Sequence, residues 1–153
     1  MAEKYSCFVA GVASGTNKTL IDIFDPAAAP VQRLAVYDIV VGSVATPADQ
    51  ACKMYVGRST AVGTEGAGYV PVNIDPGGPA GAADSGNAHS AEPTYTANKQ
   101  VLAFSVNQRN TFRWACSPGS ELRATATQNN GLGNYSSSST STQAHECCIL
   151  FEE

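Results

Sequence analysis

Short apolar runs recur along this chain with a two-residue alternation, and stretches of Gly, Ala, Ser, Pro and Asn break them apart. The strongest runs cover residues 5–9, 19–24, 34–41, 52–56, 69–74, 100–106 and 147–151. A period of two places alternate side chains on opposite faces of an extended strand, so the pattern predicts an all-β sandwich or barrel. Weaker runs at 111–116 and 121–127 make nine candidate segments, read as about eight strands, the number of a jelly roll. The expected fold is a jelly-roll-like antiparallel β-sandwich with long irregular loops. A chain of 153 residues fits one domain covering 1–153, large enough to bury a core without disulfides or metal.

The connections are read from their turn residues. Ser14, Gly15, Thr16 and Asn17 signal a turn, and Pro26 and Pro30 keep the intervening alanines from forming a helix. Residues 46–49, Thr-Pro-Ala-Asp, are the single place where a short helical turn is expected. In 34–41, alternation places Leu34, Val36, Asp38 and Val40 on one face, with Ala35, Tyr37, Ile39 and Val41 on the other. Pro71 marks its run as an edge strand or a bulge. Residues 100–106 and 111–116 read as a hairpin around the polar loop Asn107-Gln108-Arg109-Asn110. Two stretches, 75–99 and 128–143, read as long irregular loops, the first with Tyr95 as nearly its sole apolar anchor.

Composition narrows the function. Charged residues make up only 14% of the chain, and neutral Ser, Thr, Asn and Gln carry much of its polar character. The net charge is −4, and the nine Lys and Arg residues are scattered singly. Direct nucleic-acid binding is not expected, because neutralising phosphates takes grouped cations. No apolar run reaches the ~18–20 residues that span a bilayer, so no membrane partner is expected. The start of the chain lacks the apolar stretch of a secretory signal, so synthesis in a cytoplasm is expected.

The candidate chemistry is sparse. None of the five cysteines forms a Cys-x-x-Cys pair, so no zinc or thioredoxin signature is present. Cys7, Cys52 and Cys116 sit inside apolar runs and read as small core residues. Cys147 and Cys148 are adjacent and should point to opposite faces. A disulfide between Cys7 and that pair is open if the terminal strands are neighbours. His89 lies in the first long loop near Asp84 and Ser85, which gives little promise of the geometry a catalytic triad needs. His145, beside Glu146, Cys147 and Cys148, reads as a strand entry with one polar face. The stretch Gly11–Thr19 lacks the Gly immediately before Lys that a phosphate loop requires. Asp22, Asp25 and Asp38 belong to no calcium-loop pattern. No catalytic residue, cofactor or metal is therefore assigned, and the chain is not expected to be an enzyme. The interface candidates are aromatic. They are Tyr95 and Tyr135 in the two loops, Trp114 between Phe112 and Cys116, and Phe151 near the end of the chain.

The order of segments resembles a known group of proteins. Lys18-Thr19-Leu20-Ile21-Asp22-Ile23-Phe24-Asp25-Pro26 is followed by the 31–41 strand, then by 52–58 and Ser59-Thr60-Ala61-Val62-Gly63-Thr64. This succession, with a long Ala/Gly/Pro loop and the acidic apolar tail Ile149-Leu150-Phe151-Glu152-Glu153, resembles the small β-sandwich virion proteins of tailed bacteriophages. The cysteine content and the Asn/Ser loop before the last strand depart from that pattern. The resemblance implies a capsid decoration or cement protein, or a related head or tail accessory component. It implies no catalytic residues; the expected form is a homotrimer on the virion with the major capsid protein as partner, because a closed cyclic oligomer repeats one weak contact and multiplies avidity. A carbohydrate-binding jelly roll, lectin-like and used in receptor recognition, is the second reading, with Trp114 and Tyr135 as its aromatics. A small sandwich hydrolase is the third.

Overall fold

The computed structural model describes residues 2–29, 32–44, 46–137, 141 and 143–153. Among them the chain forms twelve strands: β1 (Lys4–Ala13), β2 (Lys18–Phe24), β3 (Ala35–Ser43), β4 (Ala51–Ala61), β5 (Ala67–Gly68), β6 (Val72–Asn73), β7 (Asp84–Asn87), β8 (Thr94–Asn107), β9 (Phe112–Ala115), β10 (Leu122–Arg123), β11 (Gly131–Ser136) and β12 (Ala144–Glu152). Eight of them build two packed antiparallel sheets, β1-β12-β3-β9 and β2-β11-β4-β8. Each sheet takes a strand from the C-terminal end of the chain into its middle. β12 lies between β1 and β3, and β11 between β2 and β4. That interleaving is the double Greek key of a jelly roll, so the expected all-β fold is the one found.

The other four strands are short edge pieces that raise the count above the expected eight. β10 joins β9 along β3. β5, β6 and β7 all come from the connection between β4 and β8, and they cover both sheets on the same side of the sandwich. β6 pairs with β1 at the edge of the first sheet, and β7 pairs with β2 at the edge of the second. Pro71 precedes this edge strand, as its missing N–H requires. An uncovered edge would present a row of unpaired backbone groups, and part of the connection is spent on covering it.

Several local expectations are corrected. The 75–99 stretch contains β7 and the first part of β8. Its turn is built by Asx contacts, with the Asp75 and Gly77 amides donating to Asn73 Oδ1 and Asp75 Oδ1, each at 2.9 Å. The 128–143 stretch contains β11, buried along its whole length. Ser138, Ser139, Thr140 and Thr142 of that stretch, and Val31 of the 31–41 run, lie outside the described residues. Residues 46–49 form no helix; the Ala48 amide instead donates to Gln108 Oε1 at 3.1 Å. The 107–110 turn is not a hairpin, because β8 pairs with β4 in one sheet and β9 with β3 in the other. In β3 the alternation slips at Tyr37. Asp38 faces Leu150 while Val36 faces Phe151, a bulge that puts Val36, Ile39 and Val41 together in the core.

Between the sheets pack Cys7, Val9, Ile39, Val41, Ile149 and Phe151 from one side and Ile21, Ile23, Met54, Val56 and Leu132 from the other, all buried. Each such side chain contributes about 1.5–3 kcal/mol through apolar burial. Leu132 is the main apolar anchor of the glycine- and serine-rich β11. Leu132→Ala is expected to destabilise the fold by about 2–5 kcal/mol in urea titration, with an unchanged slope.

Candidate functional site

The four aromatic candidates occupy different environments. Phe151 is fully buried and stacks on Tyr5 with ring centroids 5.7 Å apart, so its ring is a core element and not a contact surface. Tyr135 is also buried, in β11, which corrects its expected place at an exposed loop tip. Trp114 is half-buried on β9, opposite Ile39, and packs against the core. Tyr95 is half-buried at the start of β8.

Tyr95 and Tyr135 are brought together by an unusual feature of the second sheet. Gly133 of β11 and Gly57 of β4 face each other in register, leaving a shallow place on the outer face. The Tyr95 ring lies over it, stacked on Tyr135 at 4.2 Å, and its hydroxyl meets Thr19 Oγ1 at 3.0 Å. Large rings here replace the side chains that the two glycines lack. Burial pushes the Tyr95 phenol well above its ordinary pKa. Beside the pair opens a cleft of about 470 Å³ lined by Asn17, Glu92, Asn98 and Gln100 as well as the two tyrosines.

The main exposed apolar surface lies on the first sheet, in a place the sequence reading did not single out. Phe8, Tyr69, Val70, Val72 and Ile74 are the exposed large hydrophobic residues among those described. Val70 and Val72 are 76% and 68% exposed, and Phe8 is 59% exposed. They gather where β6 lies along β1. Val72 is in register with Ser6, and the Phe8 and Tyr69 rings lie 6.0 Å apart. The apolar character continues inward across the sheet. A groove of about 310 Å³ is lined by Ser6, Phe8, Val40 and Cys148, with Glu146 at its margin. Contiguous apolar surface of this kind marks an interaction site more often than a free surface. The available signal was the run from 69 to 74, in which Val70, Val72 and Ile74 alternate with Pro71 and Asn73 on what Pro71 marks as an edge.

The polar candidates separate. Asp38 binds Arg113, with Nη2–Oδ2 at 2.5 Å, and Asp25 caps its own loop at the Ala27 amide, 2.8 Å away. Neither shares a site with Asp22. Among the described residues no group of three His, Cys, Asp or Glu side chains is placed to hold a metal ion. His145 is buried with Nδ1 3.2 Å from Ser43 Oγ, and burial pushes its pKa down. The five cysteines are free. Cys7 faces Ile149 across the β1–β12 ladder, and its thiol is pushed up to about 11 by burial. Cys147 is buried and Cys148 half-exposed, on opposite faces as expected.

His89 departs most from expectation. Instead of lying in a loose loop it is buried, with Nε2 3.2 Å from Oδ1 of the fully buried Asp22. The two are not aligned for a hydrogen bond. Neither Asp22 oxygen nor His89 Nδ1 has a hydrogen-bond partner among the described residues. Glu65 Oε2, Asp22 Oδ1 and His89 Nε2 all crowd the Cα of Gly86, each 2.9 Å from where a Cβ would stand.

No family model matches the chain, and no curated protein or solved structure is significantly similar to it.

Two measurements follow from this geometry. A thiol reagent is expected to modify Cys116 and Cys148 in the native protein and Cys7, Cys52 and Cys147 only on unfolding; fewer than five reactive thiols after denaturation would reveal a disulfide. A methyl group on Gly133 would stand 2.2 Å from Tyr95 Oη. Gly133→Ala should therefore cost about 1–3 kcal/mol, with part recovered in the Tyr95→Phe background, where that oxygen is gone.

Proposed function

We propose that this chain is a structural virion protein, a capsid decoration or cement protein that binds the major capsid protein and stabilises the particle. The observation that carries the reading is the apolar edge formed by Phe8, Tyr69, Val70, Val72 and Ile74 on an otherwise closed sandwich. Supporting it are the jelly-roll architecture and the low charge. The order of segments that resembles small phage virion proteins points the same way. Buried aromatic and aliphatic anchors supply most of the affinity of a protein interface, and this edge offers them side by side. Repetition in a closed trimer would multiply a modest contact by avidity.

The second reading, a carbohydrate-binding jelly roll, is favoured by the cleft beside Tyr95 and Tyr135. It is weakened by the way the rings stack on each other, which uses the faces that a sugar would need.

The test is co-sedimentation with purified empty heads of the encoding phage, together with native mass spectrometry of the free protein. The wild type is expected to co-sediment and to form a trimer, free or on the particle. Phe8→Asp combined with Val72→Asp should weaken binding at least tenfold. Stability should change by no more than about 0.5 kcal/mol, as is usual for exposed positions. Unaltered binding by the double variant, or no binding by the wild type, would overturn the reading. A monomer that retains sugar would support the lectin.

A further inference from the structure

The connection that carries the apolar edge meets the second sheet at a buried contact, His89 Nε2 against Asp22 Oδ1 at 3.2 Å. From this we infer that the fold contains a proton-dependent latch. Asp22 of β2, His89 and Glu65 hold the 64–91 segment down while the imidazole is charged, and release it as the ring loses its proton.

The argument starts from Asp22. Its carboxylate is buried on β2 with no hydrogen-bond donor among the described residues. A buried carboxylate without donors is costly, and charge is the remaining means of offsetting it. The nearest positive charge available is the His89 ring at 3.2 Å. Because that contact is not aligned as a hydrogen bond, a neutral imidazole gives it little attraction, whereas an imidazolium gives a full ion pair. The other ionisable groups around the pair sharpen the dependence. Glu65 comes from the solvent side and Asp84 from β7, and both are acidic. The Tyr95 phenol of β8 lies near Asp22 and is held neutral by a raised pKa, while the Cys7 thiol of β1, also raised, points into the inter-sheet core. Lys18 approaches the His89 carbonyl at 3.4 Å, but its charge is spent on Glu92 at 2.8 Å. Without the imidazolium, three carboxylates would face one another with no cation among them.

The directions agree. Desolvation and the neighbouring Asp84 and Asp22 push the Glu65 carboxyl above its usual range. A raised pKa in the folded state contributes stability that is present at low pH and lost as pH rises through the raised value. An ordinary imidazole changes charge between about pH 5 and 8. Rising pH in that window should loosen the connection while the β1-β12-β3 and β2-β11-β4 ladders stay intact. Tyr69, Val70, Val72 and Ile74 lie within the same connection, so their presentation would follow the latch. The inference concerns the isolated chain and stands apart from the identity of its partner.

Hydrogen exchange with mass spectrometry on the full chain at pH 5.5 and 8.5, corrected for intrinsic exchange, tests it. Peptides covering 64–91 are expected to lose at least tenfold in protection between the two conditions, while those covering β11 and β12 do not. Asp22→Asn and, separately, His89→Gln should abolish the pH dependence. Unchanged wild-type protection across the range would overturn the latch, and so would a pH dependence that persists in either variant. If both variants fail to fold, the wild-type comparison alone decides between the two outcomes. Failure of the latch would leave head binding by the Phe8 edge untouched, so the two proposals are tested separately.

Discussion

Every part of this molecule depends on two strands from the end of the chain entering the middle of sheets that begin at its start. β12 bridges β1 and β3, and β11 bridges β2 and β4. Without β12 the first sheet falls into two pieces, and without β11 the second does. Such pairings close long loops before any contact rewards the lost entropy, which makes this a topology of slow, non-local folding. The inter-sheet core forms only when both insertions are complete, because Ile149 and Phe151 on one side meet Leu132 and its neighbours on the other.

The connection between β4 and β8 has a second task. It leaves the sandwich, lays β6 along β1 and β7 along β2, and returns as β8 next to β4. A jelly roll without this excursion would expose two long edges. Covering them places Tyr69, Val70, Val72 and Ile74 at the surface and His89 against Asp22 beneath it. One segment thus carries both the exposed apolar residues and the buried imidazole set against Asp22.

The polar interior is organised differently from a catalytic centre. Asp25 caps its own loop and Asp38 holds Arg113, while His145 rests against Ser43. Asp22 and His89, both buried, approach each other to 3.2 Å. Around them stand the backbone of Gly86 and the Glu65 carboxylate. The arrangement suits holding a segment in place.

The sequence by itself determined where β1, β4, the later part of β8 and β12 stand, strands that bury one face, and also β2, which is apolar enough to read as a strand although both its faces are covered. It also determined the all-β class and the burial of Cys7 and Cys52, whereas Cys116, read as a small core residue, is half-exposed. This was legible because alternation is a local signal, generated whenever one face meets a core and the other meets solvent. Only the tertiary structure decided the rest. β11 reads as a loop because Gly131, Gly133, Asn134 and Ser136 give no alternation. It is a central strand all the same, covered on both faces, with Tyr95 and Tyr135 filling the space its glycines leave. The same cover buries Tyr135, which in sequence looks exposed. β7 and His89 are ordered by pairing with β2 and by a carboxylate 67 positions away in the chain. The bulge at Tyr37 arises from register with β12. In each case the deciding contact is supplied by residues far away in sequence, and no local pattern of hydrophobicity records it.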